Sequence, residues 1–160
     1  MPRLEHLPEL ARNTVLTFPA QVNAETPWTP LRRPLSQARV ALVTTAGLHL
    51  RGDTPFVSDH RTPDQSYRRL PSRTPTTDIV QSHTSIGFDR TGIQRDLNVT
   101  YPVDRLRELQ QRGGIDSLAE SFYSFMGALR TWDVLEGETG PEVAELLKQD
   151  GVEVVLLTPT

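Results

Sequence analysis

The stretch GPEVAELLKQDGVEVVLL, residues 140–157, joins a helix pattern to a strand pattern and decides the fold. Pro141 suits the first turn of a helix, where its missing N–H leaves no helical hydrogen bond unmade. The helix would end at Gly151, and residues 152–157 form a continuous apolar run that is typical of a buried parallel strand. The apolar stripe of the helix consists of Val143, Leu146 and Leu147. A helix that leads through a glycine stop into such a strand predicts βαβ units and a covered, mainly parallel sheet.

Further elements extend this prediction toward the amino terminus. Residues 39–44 are a Val/Ala/Leu run that we predict as the first strand, and residues 78–81 form a shorter candidate strand. A helix should begin near Pro102 and end at Gly113-Gly114. Its apolar face consists of Val103, Leu106 and Leu109. The set predicts a doubly wound, three-layer α/β domain whose sheet is incomplete at the C-terminal end of the chain.

The connecting stretches are less regular. Ser117 and Glu120 have the spacing of a capping box ahead of an aromatic segment, so they predict another helix start. The polar, Pro-rich residues 51–77 and the residues 84–97 are predicted as loops, and a connection as long as the first is usually functional or disordered.

The N-terminal residues 1–37 are rich in Pro, Arg and Thr and show no sustained periodicity. We predict that they form an arm with one short helix at residues 4–12. Residues 38–160 are predicted to form the α/β domain.

The composition limits the classes of function. The chain has 160 residues, 36% hydrophobic and 23% charged, which is the size of one ordinary soluble domain. A net charge of -3 and a pI near 5.8 argue against a nucleic-acid partner. Apolar runs fall short of the roughly 20 residues that span a bilayer. We therefore expect a cytoplasmic protein with no membrane partner, and the absence of cysteine excludes a disulfide framework within these residues.

The turn after the first predicted strand, residues 44–47, is the first candidate binding segment. Small residues there let a substrate approach closely, and backbone N–H groups can bind an oxyanion or phosphate. There is no G-x-G-x-x-G motif and no P-loop lysine, so nucleotide binding is not predicted. Thr45 and Gly47 are the candidate substrate-binding residues, and an ordinary strand-to-loop turn is the alternative.

A histidine and two acids make the second candidate segment. His83 titrates near neutral pH, and Asp89 could orient it or raise its pKa, so the pair is a candidate acid–base unit. The alternatives are that Asp89 pairs with an arginine and that Asp96 forms an Asx-turn. Because His83 follows a predicted strand, a parallel sheet would place it on the same edge as Gly47 and Thr160.

The third candidate segment is SFYSFMG, residues 121–127. Phenylalanine, tyrosine and methionine at this density are typical of a core. Ser124 lacks the G-x-S-x-G context of a nucleophile and has no base nearby in sequence. Tyr123 is the residue whose hydroxyl could reach a site while its ring packs.

Four segments, taken in order, resemble the selenoprotein B family of glycine, sarcosine, betaine and D-proline reductases, above all its short members. The resemblance covers residues 39–160 and does not extend to the arm. The segments are VALVTTAGLHLRGD (40–53), SHTSIGFDRTGIQRDLNVTYPVDRLREL (82–109), SFYSFMG (121–127) and DGVEVVLLTPT (150–160).

The resemblance implies a reactive chalcogen. In such proteins the strand corresponding to residues 152–157 runs through a Thr-rich turn into selenocysteine or cysteine. The resemblance therefore implies a selenocysteine directly after Thr160, encoded by a UGA codon that is read as a stop, and no other cofactor. A genuine truncation of the gene is the alternative. A helix N-terminus after the chalcogen would lower its pKa and make it more nucleophilic.

The resemblance also implies an activity. It implies an oxidoreductase of the class that acts on X–H and Y–H to form an X–Y bond with a disulfide as acceptor. In the reverse direction such an enzyme reductively cleaves a carbon–nitrogen bond in a small amine or amino-acid-like substrate and yields the disulfide. The implied partners are a redox protein or a further reductase subunit, and a homo-oligomer is also expected. By the same resemblance His83 transfers a proton or stabilises the selenolate as imidazolium, and Asp89 orients it. The implied catalytic residues are His83, Asp89 and Tyr123. Together with Thr45 and Gly47 of the turn after the first strand, the candidate substrate-binding residues are Asp96, Thr158 and Thr160.

Two other classes of function stay open. A metal-assisted hydrolase would use His83, Asp89 and Asp96 and would need further ligands, which His49 and His60 could supply; no metal site is predicted as such. The other class is a non-catalytic binding or subunit-interface protein. An unfinished sheet would expose a strand edge that favours association.

Overall fold

The computed structural model describes residues 3–19, 25–57, 62, 64–83 and 90–159. The strands are β1 (Arg39–Thr44), β2 (Leu48–Leu50), β3 (Tyr67–Pro71), β4 (Ile79–Gln81), β5 (Ser117–Leu118), β6 (Ser121–Phe125) and β7 (Val154–Thr158). The helices are α1 (Glu9–Thr17), α2 (Arg90–Arg95), α3 (Val103–Gln111) and α4 (Gly140–Gln149). Short 3-10 turns lie at Leu4–His6, Leu35–Gln37, Thr76–Asp78 and Leu97–Val99, and a π-helical turn at Leu135–Thr139 precedes α4.

The main sheet is built around β1. This strand pairs in parallel with β5, β6 and β7, and β3 adds an antiparallel strand to β6. β7 runs beside β1 from Val154, opposite Val40, to Thr158, opposite Thr44. The prediction of a mixed α/β fold with a mainly parallel sheet is confirmed, and the carboxyl ends of β1, β6 and β7 share one edge. The doubly wound, three-layer arrangement and the division into residues 1–37 and 38–160 stay predictions.

The hydrophobic core is centred on β1, which forms at the predicted bounds. Val40, Ala41 and Leu42 are consecutive and all buried, and since successive side chains point to opposite faces, both faces of the strand are covered. The surrounding core side chains include Leu70 of β3, Phe122 of β6, Val103 and Leu106 of α3, and Val143 and Leu147 of α4.

The helix predicted from Ser117 and Glu120 is wrong, because this stretch forms β5 and β6. All five residues of β6 are buried, with β3 on one side and β1 on the other. Aromatic side chains favour strands, and burial on both faces outweighs a local helix signal. The N–H of Glu120 donates to the carboxylate of Asp150 at 2.7 Å and does not close a capping box.

The stretch 140–157 forms α4 and β7, and the strand begins two residues later than predicted. The parallel pairing of β7 is confirmed, but the prediction that it is buried is wrong. Leu156 is 38% exposed and Leu157 is 67% exposed. Among the described residues β1 is the one strand that pairs with β7, so the far edge of β7 is open.

The strand predicted at 78–81 forms as β4, but it lies outside the main sheet. It pairs antiparallel with β2, which places Leu48 opposite Gln81. The predicted loop 51–77 contains β3, and the predicted loop 84–97 contains α2, so both loop predictions are wrong in those parts. Residues 84–89 lie outside the described residues.

Helices α3 and α1 differ in how many of their side chains are buried. In α3, Val103 and Leu106 are buried as predicted, whereas Leu109 is exposed. The helix of the arm, α1, lies further along the chain than residues 4–12 and buries no side chain. Within the described part of the chain, no helix combines the length and apolar character that crossing a membrane requires.

Candidate active site

Two threonine hydroxyls tie the carboxyl ends of β1 and β7 to the segment that precedes α3. The Thr44 hydroxyl donates to the carbonyl oxygen of Thr100 at 3.0 Å, and the Thr158 hydroxyl donates to the same oxygen at 2.8 Å. The N–H of Thr45 donates to the carbonyl oxygen of Thr158 at 3.2 Å. The strand ends are therefore held together by hydrogen bonds of side chains as well as by the sheet.

The side-chain hydroxyl of Thr100 is a further polar group beside these strand ends. The residue is buried, and its Oγ1 has no hydrogen-bond partner among the described residues. Buried polar groups are nearly always hydrogen-bonded, so an unpaired one beside strand ends marks a position where a further polar group can bind.

Gly47 lies directly before β2 and is hydrogen-bonded at the ends of β6 and β4. Its N–H donates to the carbonyl oxygen of Phe125 at 2.9 Å, at the end of β6, and its carbonyl oxygen accepts the N–H of Ser82 at 2.8 Å, just after β4. Its φ is +63°, and a Cβ there would lie 3.1 Å from the backbone N of His83. Only glycine combines that backbone angle with such a close approach. The structure therefore brings Gly47 and His83 together, as the sequence predicts, although β4 belongs to a separate sheet.

His83 is 2% exposed. Burial lowers the pKa of His83 below its ordinary value of 6.5, and the positive charge of Arg90 lowers this pKa further. The Arg90 guanidinium also donates to the carbonyl oxygen of His83 at 2.7 Å. The imidazole is therefore neutral at neutral pH, which suits an acceptor or carrier of a proton better than a fixed positive charge.

A second histidine pairs with a serine, and the sequence did not indicate this pair. The ring of His49 donates from Nδ1 to the carbonyl oxygen of Leu50 at 2.7 Å, which leaves Nε2 as an acceptor. The Ser82 hydroxyl lies 2.6 Å from Nε2 and donates to it. The two residues meet because β2 and β4 pair in this register, which no motif reveals. With both ring nitrogens engaged, His49 is not positioned as a metal ligand.

Asp96 forms the Asx-turn that was the alternative to a binding role. Its carboxylate accepts the backbone N–H and the side-chain amide of Asn98, each at 2.9 Å, and caps the turn Leu97–Val99. These hydrogen bonds hold the pKa of Asp96 below its usual range. A role of Asp96 in binding substrate stays a prediction.

Tyr123 lies in β6 and packs edge-on against Tyr67, with ring centroids 5.7 Å apart. Burial raises the pKa of Tyr123. The contacts of this ring are with the neighbouring strand β3, so the structure does not bring it onto His83, and its catalytic role stays a prediction. Asp89 and Thr160 lie outside the described residues.

The described part of the chain contains no group of three or more His, Cys, Asp or Glu residues that could hold a metal ion, so metal binding has no support there. Asp89 and His60 lie outside that part, so the metal-assisted alternative stays untested.

Comparison with known proteins assigns the family. A sequence model of the glycine/sarcosine/betaine reductase selenoprotein B family matches residues 7–160, which include every candidate residue above. The chain belongs to the selenoprotein B family. This confirms the resemblance stated from the sequence, and it extends the match into the arm.

Several curated relatives of this selenoprotein B family member are reductase subunits. It is 38% identical over 131 residues to D-proline reductase subunit gamma of Acetoanaerobium sticklandii, which covers 82% of this chain and 52% of that protein. It is 30% identical over 152 residues to sarcosine reductase complex component B subunit beta of Peptoclostridium acidaminophilum, covering 89% of this chain and 33% of that protein. The chain thus spans from a third to a half of the length of these relatives. No solved structure matches it.

Proposed function

We propose that this chain is a subunit, or part of a subunit, of a reductase that cleaves a carbon–nitrogen bond in a small amine or amino-acid-like substrate through selenol or thiol chemistry. Support comes from the family and from relatives that are reductase-complex components. The observation that carries the proposal is that Gly47, hydrogen-bonded at the carboxyl ends of β6 and β4, lies against the buried, neutral His83. Ligands of α/β sheets bind at such carboxyl edges.

We further propose that a selenocysteine, or a cysteine in its place, follows Thr160 directly. The 160 residues contain no cysteine, so the nucleophile that this chemistry needs has to come from elsewhere. The carboxyl end of β7 lies beside Thr44 and Thr100, so a residue shortly after Thr158 would start from the edge where His83 lies. The chalcogen would supply the nucleophile, and no other cofactor is invoked.

His83 is proposed to accept the proton of the selenol or thiol and to pass it to the nitrogen that leaves. Its lowered pKa supports this role over that of a permanent imidazolium, because burial and Arg90 both disfavour the charged ring. Asp89 is proposed to orient His83 and Tyr123 to contact the substrate. Thr45 and Gly47 are proposed to lie beside the substrate, together with Asp96, Thr158 and Thr160. The backbone N–H groups of Thr45 and Gly47 already donate to Thr158 and Phe125, so they are not the groups that bind it.

The direct test is to read the genomic DNA after the Thr160 codon. An in-frame UGA followed by a helix-forming segment, with a selenocysteine insertion hairpin nearby, is the expected result; a cysteine codon also supports the proposal. A UAA or UAG codon would contradict the placement of the chalcogen and leave only the family relationship.

The role of His83 is tested in the protein that carries the chalcogen. Replacing His83 with alanine should reduce the reductive turnover of glycine, sarcosine, betaine or D-proline, whichever the wild type accepts, while the circular dichroism spectrum stays unchanged. The matched control is His6→Ala, because His6 is exposed in the arm. Equal turnover of wild type and His83→Ala would remove His83 from the mechanism.

A non-catalytic interface role is the second candidate, and the exposed β7 favours it. Val155, Leu156 and Leu157 are all exposed beside a strand edge that no described strand pairs with, and natural proteins usually cover such edges. A chain that binds a reductase subunit stoichiometrically, and is inactive in every assembly that contains it, would favour this role over catalysis.

A further inference from the structure

A cleft between β4 and α2 carries an unusual set of charges. Its volume is about 580 Å³, and three arginines, Arg51, Arg90 and Arg95, line it. No aspartate or glutamate is among its described lining residues. Three like charges around one cavity repel each other, and this occurs in a chain whose net charge is negative. An anion in the cleft would relieve that repulsion.

The three guanidinium groups have more N–H donors than they use in hydrogen bonds to described residues. Arg51 donates to the carbonyl oxygen of Thr77 at 3.0 Å, and Arg90 donates to that of His83 at 2.7 Å. Arg95 makes no hydrogen bond or ion pair with any residue that the structure describes. Each guanidinium has five N–H donors, and their planar arrangement matches a carboxylate or phosphate. Most of these donors therefore have no partner among the residues that the structure describes.

The rest of the lining is half polar and half apolar. Ile79 of β4, Ile93 of α2 and Leu97 contribute hydrocarbon surface to the same cleft. Such a surface contributes nothing to the binding of inorganic phosphate, but it stabilises the aliphatic part of an organic anion. The cleft therefore combines a charged region with an apolar one, which is the pattern expected for an amphiphilic acid.

We propose that this cleft binds a small aliphatic carboxylate, with the carboxylate at the arginines and the hydrocarbon chain on Ile79, Ile93 and Leu97. The proposal goes beyond the reductase function, because anion binding needs no chalcogen. The cleft is nevertheless linked to the candidate active site. Gln81, which lines the cleft, donates to the carbonyl oxygen of Ala46 at 3.1 Å in the turn after β1.

The first test compares three probes on the full 160-residue chain. Pentanoate, its uncharged analogue pentanamide and inorganic phosphate are titrated while backbone amide shifts are recorded by NMR. Pentanoate should shift amides of β4 and α2 and bind at least about tenfold more tightly than pentanamide, since hydrogen bonds to a charged group carry such a factor. Equal binding of the two, or no binding of pentanoate, would overturn the proposal. Tighter binding of phosphate would also overturn it, because the apolar surface would then have no role.

The second test assigns the effect to the cleft. Arg95→Gln removes one guanidinium group that makes no hydrogen bond or ion pair with another described residue. It should weaken pentanoate binding about tenfold. Arg112→Gln is the matched control, because it removes the same charge from the exposed end of α3. If both variants bind pentanoate equally well, the arginines of the cleft are not the binding site. The comparison of probes on the wild-type chain decides the question even if Arg95→Gln fails to fold.

Discussion

β1 and β7 lie side by side in one sheet and have the same kind of sequence, RVALVT and VVLLT, yet their environments differ. Leu42 of β1 is 0% exposed, whereas Leu156, its direct neighbour in β7, is 38% exposed. β1 has paired strands along both edges, while β7 has β1 alone among the described residues. Apolar character therefore predicts that a segment is a strand, but burial depends on how many neighbours the fold gives it.

The largest expected difference between the two strands concerns the paired leucines. Leu42→Ala should lower the free energy of unfolding by about 2–5 kcal/mol, because it leaves a cavity in the core. Leu156→Ala should cost less than about 1 kcal/mol, since much of its side chain is already in water. Urea unfolding measures both. Equal losses would contradict the difference in burial and show that β7 is covered in solution, as it would be in an oligomer.

The glycines that flank the two strands provide the next test. Gly47 follows β1 and Gly151 precedes β7, and both have φ near +65°. Gly151→Ala should cost roughly 1–2 kcal/mol for the backbone angle alone, because no atom lies within 4 Å of the added Cβ. Gly47→Ala should cost roughly 2–4 kcal/mol, because its Cβ also presses on His83. Equal thermal stabilities of the variants would show that the contact with His83 yields at no cost.

The paired threonines give a smaller effect. Thr44→Val removes the hydroxyl that donates to Thr100 and accepts the N–H of Ala46 at 3.2 Å, so a buried N–H loses a partner. It should cost about 1–3 kcal/mol. Thr158→Val, at the opposite position on β7, should cost about 0.5–1.5 kcal/mol, since its site is half-exposed. The reverse order in urea unfolding would mean that β7, not β1, holds the segment before α3.

The smallest effect is a pH dependence of the free energy of unfolding that arises from His83, just after β4. The pKa of His83 is lowered in the folded state, so between about pH 6.5 and that lower value the unfolded chain binds a proton that the native state does not. Stability should therefore fall as the pH falls through this range, and it should be unaffected above about pH 7.5. His83→Gln should flatten this part of the curve, whereas His6→Gln, at an exposed site, should leave it unchanged. Parallel curves for wild type and His83→Gln would contradict the assigned direction.

The parts of the fold that the sequence predicts well are those whose signals are local. The bounds of β1 and the capped helix α4 follow from runs of apolar residues, a proline and a glycine stop. Residues 117–125 show the opposite case. The spacing of Ser117 and Glu120 is a genuine local helix signal, but pairing with β1 and β3 overrides it, and that pairing joins residues far apart in sequence.

The predictions for the candidate site also fall into those that rest on local signals and those that depend on long-range contacts. The sequence identifies Asp96 as the residue of an Asx-turn, because turn chemistry is local. Gly47 and His83 are predicted to share the edge of a parallel sheet, but they meet because β4 pairs antiparallel with β2 in a separate sheet. The pairing of His49 with Ser82 and the shared use of the Thr100 carbonyl oxygen depend on strand register and on the approach of α3. The side chains concerned have no distinctive spacing, so no motif could have indicated them.

The carbonyl oxygen of Thr100, which accepts hydroxyls from β1 and β7 at once, also sets an order of local opening. β7 can detach from β1 and lose the Thr158 hydrogen bond while the Thr44 bond still holds the segment before α3 in place. We therefore expect amides of β7 to exchange with deuterated solvent through this partial opening, and amides shared by β1 and β6 to exchange only when the whole domain unfolds. The carboxyl edge would then keep its shape on one side while the other side opens and closes.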